Sequence, residues 1–480
     1  MTDPIARLDG SVGQAVERVI MWHHRRRLRG AGRLSVLEPP PGDWTAGNPP
    51  PRAGNRLEIL IDGATAMSSM VAAIRSARST VHIAGWHVNP DFALTREAVP
   101  VVLRPLLAEM ARKAEVRVLL WGGSPFRLFR PSRREVRDVY RRLVDGTRIR
   151  CALDTHERPL HCHHEKLIIV DDRVAFVGGI DLTDLAGDRH DTQRHPPRGT
   201  IGWHDAAARL EGPAVQDVVD HFRLRWQVVT GETLAAGSAP VPMTGGIEVQ
   251  VVRTLPEGMY KAQVPADFRI LETYLRALRS ATRLIYLENQ FLWSPEIVRV
   301  LRDKLQRPPT RDFRMLLVLP AKPNNGNDDT RGHLGTLIEA DDRAGRLLAC
   351  TTYAGGDRNL PIYVHAKIGI VDDRWLTIGS ANLNEHSLFN DTEVNLVVRD
   401  PAIVRTTRER LWAEHLERPL ASVAGDPRVV IDELWKPIIL EESRRRREGA
   451  PASHRLAPLP GVSRRSRLLL GPLQGLVVDG

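Results

Sequence analysis

Cysteine is scarce: Cys151, Cys162 and Cys350 are the only three in 480 residues. An odd count without paired spacing excludes a disulfide framework and a structural zinc site, and reduced thiols fit a cytosolic location. Apolar runs are short as well. None reaches the ~20 residues that span a bilayer. The opening stretch MTDPIARLDGSVGQAVERVIMWHHRRRLRG lacks an apolar core followed by small residues, which argues against a secretory signal. Nor do aromatic and basic residues interleave as they do in a groove that stacks nucleic-acid bases. Any work on lipid is therefore expected from the membrane surface, and nucleic acid is not the expected partner. Lysine is rarer than the charge suggests, at seven residues among 68 basic ones.

What is present is a composition that folds. Hydrophobic residues make up 42%, enough for buried cores in two domains, and a net charge of +10 with a pI near 9.9 favours anionic partners. Two of the seven lysines occupy one recurring frame. HCHHEKLIIVDD (161–172) sets His164, Lys166 and Asp171 as HxKxxxxD, and YVHAKIGIVDD repeats the frame with His365, Lys367 and Asp372.

The repeat extends further. AIRSARSTVHIAGWHV (73–88) aligns with ALRSATRLIYLENQFL (277–292), and VRVLLWGGSP (116–125) with FRMLLVLPAK (313–322). Matched segments in one order at nearly constant separation indicate duplication. Each copy reads as alternating helix and strand: a helix over 65–77, strands at TVHIAGW, VRVLLW, KLIIVDD and AFVGG, and their counterparts at KIGIVDD and LTIGS. The segment 228–246, rich in Gly, Pro and small residues, is the linker, dividing the chain near residue 240. The expected fold class is α/β, as two similar α/β/α sandwich lobes about a pseudo-twofold axis with the site at their interface. The expected divisions are an N-terminal extension (1–54), a first lobe (55–235), a second lobe (236–425) and a C-terminal tail (426–480). The basic runs SRRRRE and HHRRRLR and the Pro-rich run to about 463 read as solvated segments.

In HxK the histidine and lysine lie two apart, so on a strand both face one way. Two facing copies offer two imidazoles and two ammonium groups, which suits phosphodiester cleavage with no metal and no cofactor. One imidazole attacks phosphorus to form a phosphohistidine; the other protonates the leaving alkoxide and then activates water. The lysines stabilise charge on the non-bridging oxygens. Asp171 and Asp372, at the strand ends, are expected to tie down turns. His163 points away from the site.

These residues resemble the phospholipase D superfamily from about residue 55 to 415. The resemblance rests on YVHAKIGIVDDRWLTIGSANLNEHSLFNDTEVNLVV, on HHEKLIIVDDRVAFVGGIDL, and on GWHDAAARLEGPAVQDVVDHFRLRW with IYLENQF, and looks most like the eukaryotic type. It implies His164 as nucleophile, His365 as general acid and base, and Lys166 and Lys367 on the phosphate. Ser380 and Asn382 of GSAN resemble the family's phosphate-side hydrogen-bonders. Asp205 and Glu393, 41 and 28 residues beyond the motif histidines, are candidates to accept a proton from an imidazole nitrogen. The first half departs from the pattern with Asp181 where the second has Asn382, so Asp181 must turn away or pair with a lysine. Glu288, Asn289 and Gln290 either line the pocket or form a polar network joining the lobes. Trp86, Trp203 and Trp226 are expected in the core.

The implied activity is hydrolysis of a phospholipid's distal phosphodiester, with possible transfer to another alcohol. A cardiolipin synthase-like phosphatidyltransferase and, further off, a nuclease are the alternatives. A scaffold with a dead site is disfavoured because both histidines and both lysines are present. The expected location is the cytoplasmic membrane surface, and a monomer suffices because one chain holds both half-sites. No regulatory lipid-binding module is expected in the 55 or so residues before the first lobe.

Overall fold

The computed structural model describes residues 4–126, 130–157, 161–235, 240–260, 264–322, 327–357 and 359–459. Residues 236–239 of the linker, with the boundary at 235/236, and the end of the Pro-rich run near 463 fall outside them.

The strands of the first half are β1 (Arg52–Ile61), β2 (Thr80–Gly85), β3 (Glu115–Trp121), β4 (Arg150–Asp154), β5 (Leu167–Val170), β6 (Val174–Gly178), β7 (Trp203–His204) and β8 (Ala206–Glu211). Those of the second are β9 (Ile247–Leu255), β10 (Asp267–Phe268), β11 (Leu284–Glu288), β12 (Arg314–Val318), β13 (Leu347–Thr352), β14 (Tyr363–Val364), β15 (Ile368–Val371), β16 (Trp375–Gly379), β17 (Glu393–Val398) and β18 (Leu456–Pro458). The main sheet runs β18-β13-β12-β11-β15-β16-β17-β9-β1-β8-β6-β5-β2-β3-β4. Read outward from the antiparallel β9–β1 pair, the two arms have the same order: β17, β16, β15, β11, β12, β13 against β8, β6, β5, β2, β3, β4. That is the duplication seen in the sequence, with its pseudo-twofold axis between β1 and β9.

Helices cover both faces, as parallel strand pairs such as β2–β3 and β11–β12 require. Up to residue 416 the α-helices are α1 (Pro4–Gly30), α2 (Gly63–Ser76), α3 (Leu103–Met110), α4 (Arg133–Val144), α5 (Val215–Thr230), α6 (Arg269–Ser280), α7 (Pro295–Gln306), α8 (Asn327–Asp341) and α9 (Pro401–Leu416). The α2–α4 side of the first half and the α6–α8 side of the second each have a separate core. The opposite face is shared. Phe222 and Trp226 of α5 and Trp412 of α9 lie in one apolar cluster with strand residues from both halves. Each such fully buried side chain contributes roughly 1.5–3 kcal/mol, so the halves share part of their stability.

The linker begins later than its composition suggests. α5 runs to Thr230 and ends at Gly231, whose φ of 77° closes the helix in the left-handed conformation. In its described part the C-terminal segment is exposed at Arg444, Arg446 and Arg447, as expected of the basic run, but is ordered and packed on either side of it. Lys436–Arg447 is a helix, and β18 adds an antiparallel edge strand to β13, because Ile439 and Leu456 have apolar surface to bury.

Candidate active site

Each HxK lies immediately before its strand, where the backbone leaves its own half and pairs with the other. The His164 N–H donates to Thr392 O (3.0 Å), and Thr392 N–H returns a bond to Cys162 O (3.2 Å). Reciprocally, β14 pairs parallel with β7, and His365 N–H donates to His204 O (2.8 Å). This backbone exchange decides which carboxylate meets which imidazole. His164 Nδ1 lies 2.9 Å from Glu393 Oε1, and His365 Nδ1 lies 2.6 Å from Asp205 Oδ2. Each carboxylate serves the histidine of the opposite half. Bonding at Nδ1 fixes the tautomer in which Nε2 carries the lone pair, the form that attacks phosphorus.

The two half-sites are not equivalent. Glu393 accepts hydrogen bonds from the Ser387 hydroxyl (2.5 Å) and the Ser380 hydroxyl besides His164. At the position matching Ser380 the first half has Gly179, and there a Cβ would come 2.2 Å from Asp205 Oδ1. Asp205 instead takes the Ala206 N–H (2.8 Å). Burial pushes its carboxyl up to about 6, against the pull of Lys367. His365 is held well below its ordinary value, first by burial and then by Lys367, Lys166 and Arg189. A phosphodiester anion among these cations would reverse that bias and favour the imidazolium needed for leaving-group protonation.

The lysines differ in the same way. Lys166 donates to His164 O (2.7 Å) and lies 3.5 Å from Asp181, so Asp181 pairs with it. Lys367 donates to His365 O (2.5 Å) and to Gln290 Oε1 (3.1 Å), which also accepts from Asn382 (3.3 Å). Asp181 thus sits beside one lysine, and the amides of Gln290 and Asn382 beside the other. The Ser380 hydroxyl, expected on phosphate, is engaged with Glu393, because a fully buried carboxylate requires donors.

Asp171 and Asp372 sit away from this centre, with positive φ at 53° and 54°. Asp171 accepts from the backbone N–H groups of Arg78, Ser79 and Thr80, and Asp372 from those of Thr282, Arg283 and Leu284. Each thereby pins the start of the neighbouring strand. His163 also leaves the site, toward Thr392 (2.9 Å) and Asp154 (3.0 Å).

Of the residues left open by the sequence, Glu288 joins the halves. It accepts from His204 Nε2 and His415 Nε2, both at 2.8 Å, and from Tyr286. Asn289 accepts from the Leu383 N–H, and Gln290 reaches the site as described. Trp86, Trp203 and Trp226 are buried, but Trp203 also walls the site: its ring lies 4.5 Å from His365 and 3.8 Å from the Arg189 guanidinium. Ser387 and Arg189 are the residues that sequence reasoning missed; Ser387 lies six residues before Glu393 in an irregular helical turn with no periodic signal.

No metal ligands were expected, yet Asp62, His195, His204 and Glu414 bring donor atoms within 4.8 Å of one another, all buried. Although burial opposes it, Asp62, Asp191 and Glu414 hold His195 up at about 9, and Glu288, Asp62 and Glu414 hold His204 well above its ordinary value. Protonated, the two imidazoles pair with the surrounding carboxylates as a buried ionic seam.

Two family descriptions match the chain: "Phospholipase D" over residues 73–202 and "Cardiolipin synthase, PLD-like domain" over residues 274–414. Between them they cover more than half of it, one motif in each. The chain belongs to the phospholipase D superfamily. Curated relatives are of the eukaryotic type. Phospholipase D A of Dictyostelium discoideum is 25% identical over 76% of this chain and 36% of its own length. Phospholipase D alpha 4 of Arabidopsis thaliana is 24% identical over 72% of this chain and 62% of its own. The chain thus spans about one third of the first relative and under two thirds of the second. A solved phosphatidylserine synthase from Haemophilus influenzae shares the superfamily fold, with a TM-score of 0.52 at 12% identity over 84% of this chain and 95% of that one.

Proposed function

We propose that the protein is a phospholipase D that cleaves the distal phosphodiester of a phospholipid, giving phosphatidic acid and the free alcohol. The observation that carries this reading is the reciprocal pairing, His164 with Glu393 and His365 with Asp205, beside Lys166 and Lys367. In the first step His164 Nε2 attacks phosphorus while the His365 imidazolium gives its proton to the departing alkoxide. Neutral His365 then takes a proton from water, whose oxygen displaces His164 from phosphorus. Lys166, Lys367 and Asn382 stabilise the non-bridging oxygens, and Asp205 and Glu393 orient the imidazoles. The eukaryotic relatives, all phospholipases D by name, support the substrate class. One chain carries both half-sites, so a monomer is catalytically complete, and the place of work is the cytoplasmic membrane surface. Among the described residues no helix is long and apolar enough to cross a membrane.

The match of residues 274–414 to a cardiolipin synthase-type domain favours a second reading, in which an alcohol replaces water in the second step. Liposomes of mixed head groups, with and without ethanol, analysed by mass spectrometry, separate the two. Phosphatidic acid without ethanol and phosphatidylethanol with it are expected. Transfer between lipids without phosphatidic acid would favour the transferase, and no lipid turnover would reject both.

A further inference from the structure

The catalytic chemistry leaves α1 unused. Its inward face fixes how it lies on the second half. His24 Nδ1 is 2.7 Å from Glu296 and its ring stacks on Phe389 with centroids 3.8 Å apart. Arg27 donates to Glu257 (2.8 Å) and Asn390 (2.6 Å), and Leu28 is fully buried. Positions 24, 27 and 28 share one side of a helix, so the opposite stripe faces outward.

That stripe differs from an ordinary solvated surface. Trp22 is 60% exposed and Val19 64% exposed, and Arg18, Arg25, Arg26 and Arg29 around them are exposed too. The Arg26 guanidinium lies 5.6 Å from the Trp22 ring. Trp22 is the one tryptophan among the large apolar side chains exposed in the described residues. An apolar ring and a valine set among arginines fit the boundary between acyl chains and anionic head groups, where long basic side chains reach outward to phosphate.

A groove of about 400 Å³ opens beside this face, between α1, the turn Leu34–Leu37, α6 and α7. Arg25, Arg279, Arg299, Lys304 and Arg307 line it, with Glu38, Glu296 and Asp303 opposing them. Glu296 is engaged with His24. Partial burial, with Arg299 adding its like charge against the pull of Glu38, holds the Arg279 guanidinium below its ordinary value. A concave surface with crowded positive charge is relieved by an anion. The inward side of α1 connects the helix to the catalytic region, since Phe389, on which His24 stacks, lies two residues after Ser387, which holds Glu393.

We propose that the outward face of α1 and the adjoining basic groove dock the protein on anionic phospholipid bilayers. The helix lies in the head-group plane with Trp22 and Val19 inserted and the arginines on lipid phosphates. This deepens the lipase reading by naming where the membrane sits, while binding itself is measured without turnover.

The test is sedimentation of the full chain with phosphatidylcholine vesicles, with and without phosphatidylglycerol. Partitioning is expected only with phosphatidylglycerol, weakening as salt rises. Arg26→Glu with Arg29→Glu should lower it by roughly thirtyfold or more. Trp22→Ser should lower it and abolish quenching of tryptophan emission by doxyl-labelled lipid. Both variants should melt like the wild type and hydrolyse a short-chain, monomeric phospholipid at the wild-type rate. Failure of the wild type to bind anionic vesicles, or wild-type binding by both variants, overturns the proposal. Displacement by inorganic phosphate at constant ionic strength would mark a soluble-anion site and overturn it as well. Vesicle binding that depends on α1 without hydrolysis of any lipid upholds the docking surface and rejects the lipase reading alone.

Discussion

Replacing Glu393 with glutamine is expected to do its damage in the other half of the chain, at His164. The carboxylate accepts from His164 Nδ1 at 2.9 Å, from Ser387 at 2.5 Å and from Ser380. Glutamine has one acceptor oxygen and an NH₂ donor, so it cannot serve all three. With the NH₂ toward Nδ1, the imidazole must carry its proton on Nε2 and cannot attack phosphorus. Removing the carboxylate behind a catalytic imidazole costs about 10³–10⁴ in rate, or about 4–5.5 kcal/mol of transition-state stabilisation. Each lost hydrogen bond to the charge also costs roughly 1.5–3 kcal/mol of stability, so thermal melts accompany the kinetics. The assay is the single-turnover burst of p-nitrophenol from phosphatidyl-p-nitrophenol, a leaving group that needs no proton. Glu393→Gln should lose the burst as His164→Ala does. Asp205→Asn, which disables His365, should keep a measurable burst and fail in the second step. If Asp205→Asn instead mimics His164→Ala, the crossed pairing is wrong.

Other outcomes follow from the same structure. Activity should survive EDTA, because Lys166 and Lys367 supply the positive charge; complete loss restored by one divalent ion would assign that work to a metal, with the buried seam at Asp62, His195, His204 and Glu414 the first place to look. Glu288→Ala leaves His204 and His415 without their shared partner in the interior, and should cost about 3–5 kcal/mol by denaturant unfolding. For the buried histidines the balance turns near pH 6.5, their ordinary value. Burial, helped by Arg117, holds His82 at about 3, and burial, helped by Arg189, holds His87 at about 4. Below pH 6.5 the unfolded chain takes up the protons these two refuse, so each costs about 1.4 kcal/mol per pH unit. His195, raised to about 9, contributes fully below pH 6.5 and loses that contribution as pH rises toward 9. A melting temperature flat from pH 5 to 9 would contradict these assignments.

Much of this was legible in the sequence. The two HxKxxxxD frames, the matched flanking segments and the strand–helix alternation give the repeat, the α/β class and the four central side chains. Asp171 and Asp372 were legible as turn anchors because their place after a buried strand implies it. The crossing was not legible. Asp205 and Glu393 follow the motifs of their own halves, and only the exchange of short backbone segments at 162–164 with 392, and 363–365 with 202–204, brings each to the opposite histidine. Long-range pairing of this kind leaves no periodic trace. Ser380 was read from its motif toward phosphate, whereas its hydroxyl meets a buried carboxylate that is distant in sequence from the motif histidine it orients. The inward face of α1 was not legible either: His24 and Leu28 are buried against the second half, and composition alone does not reveal which side of a basic helix is occupied.

The central claim is a single composite site working through a covalent phosphohistidine. Rapid quench of His365→Ala with phosphatidyl-p-nitrophenol, followed by peptide mass spectrometry under alkaline conditions, tests it most directly. The variant lacks the base for the second step, so an acid-labile phosphoenzyme should accumulate on the peptide containing His164. Failure to trap any phosphoenzyme, together with inversion of configuration at phosphorus in the wild type, would contradict the claim.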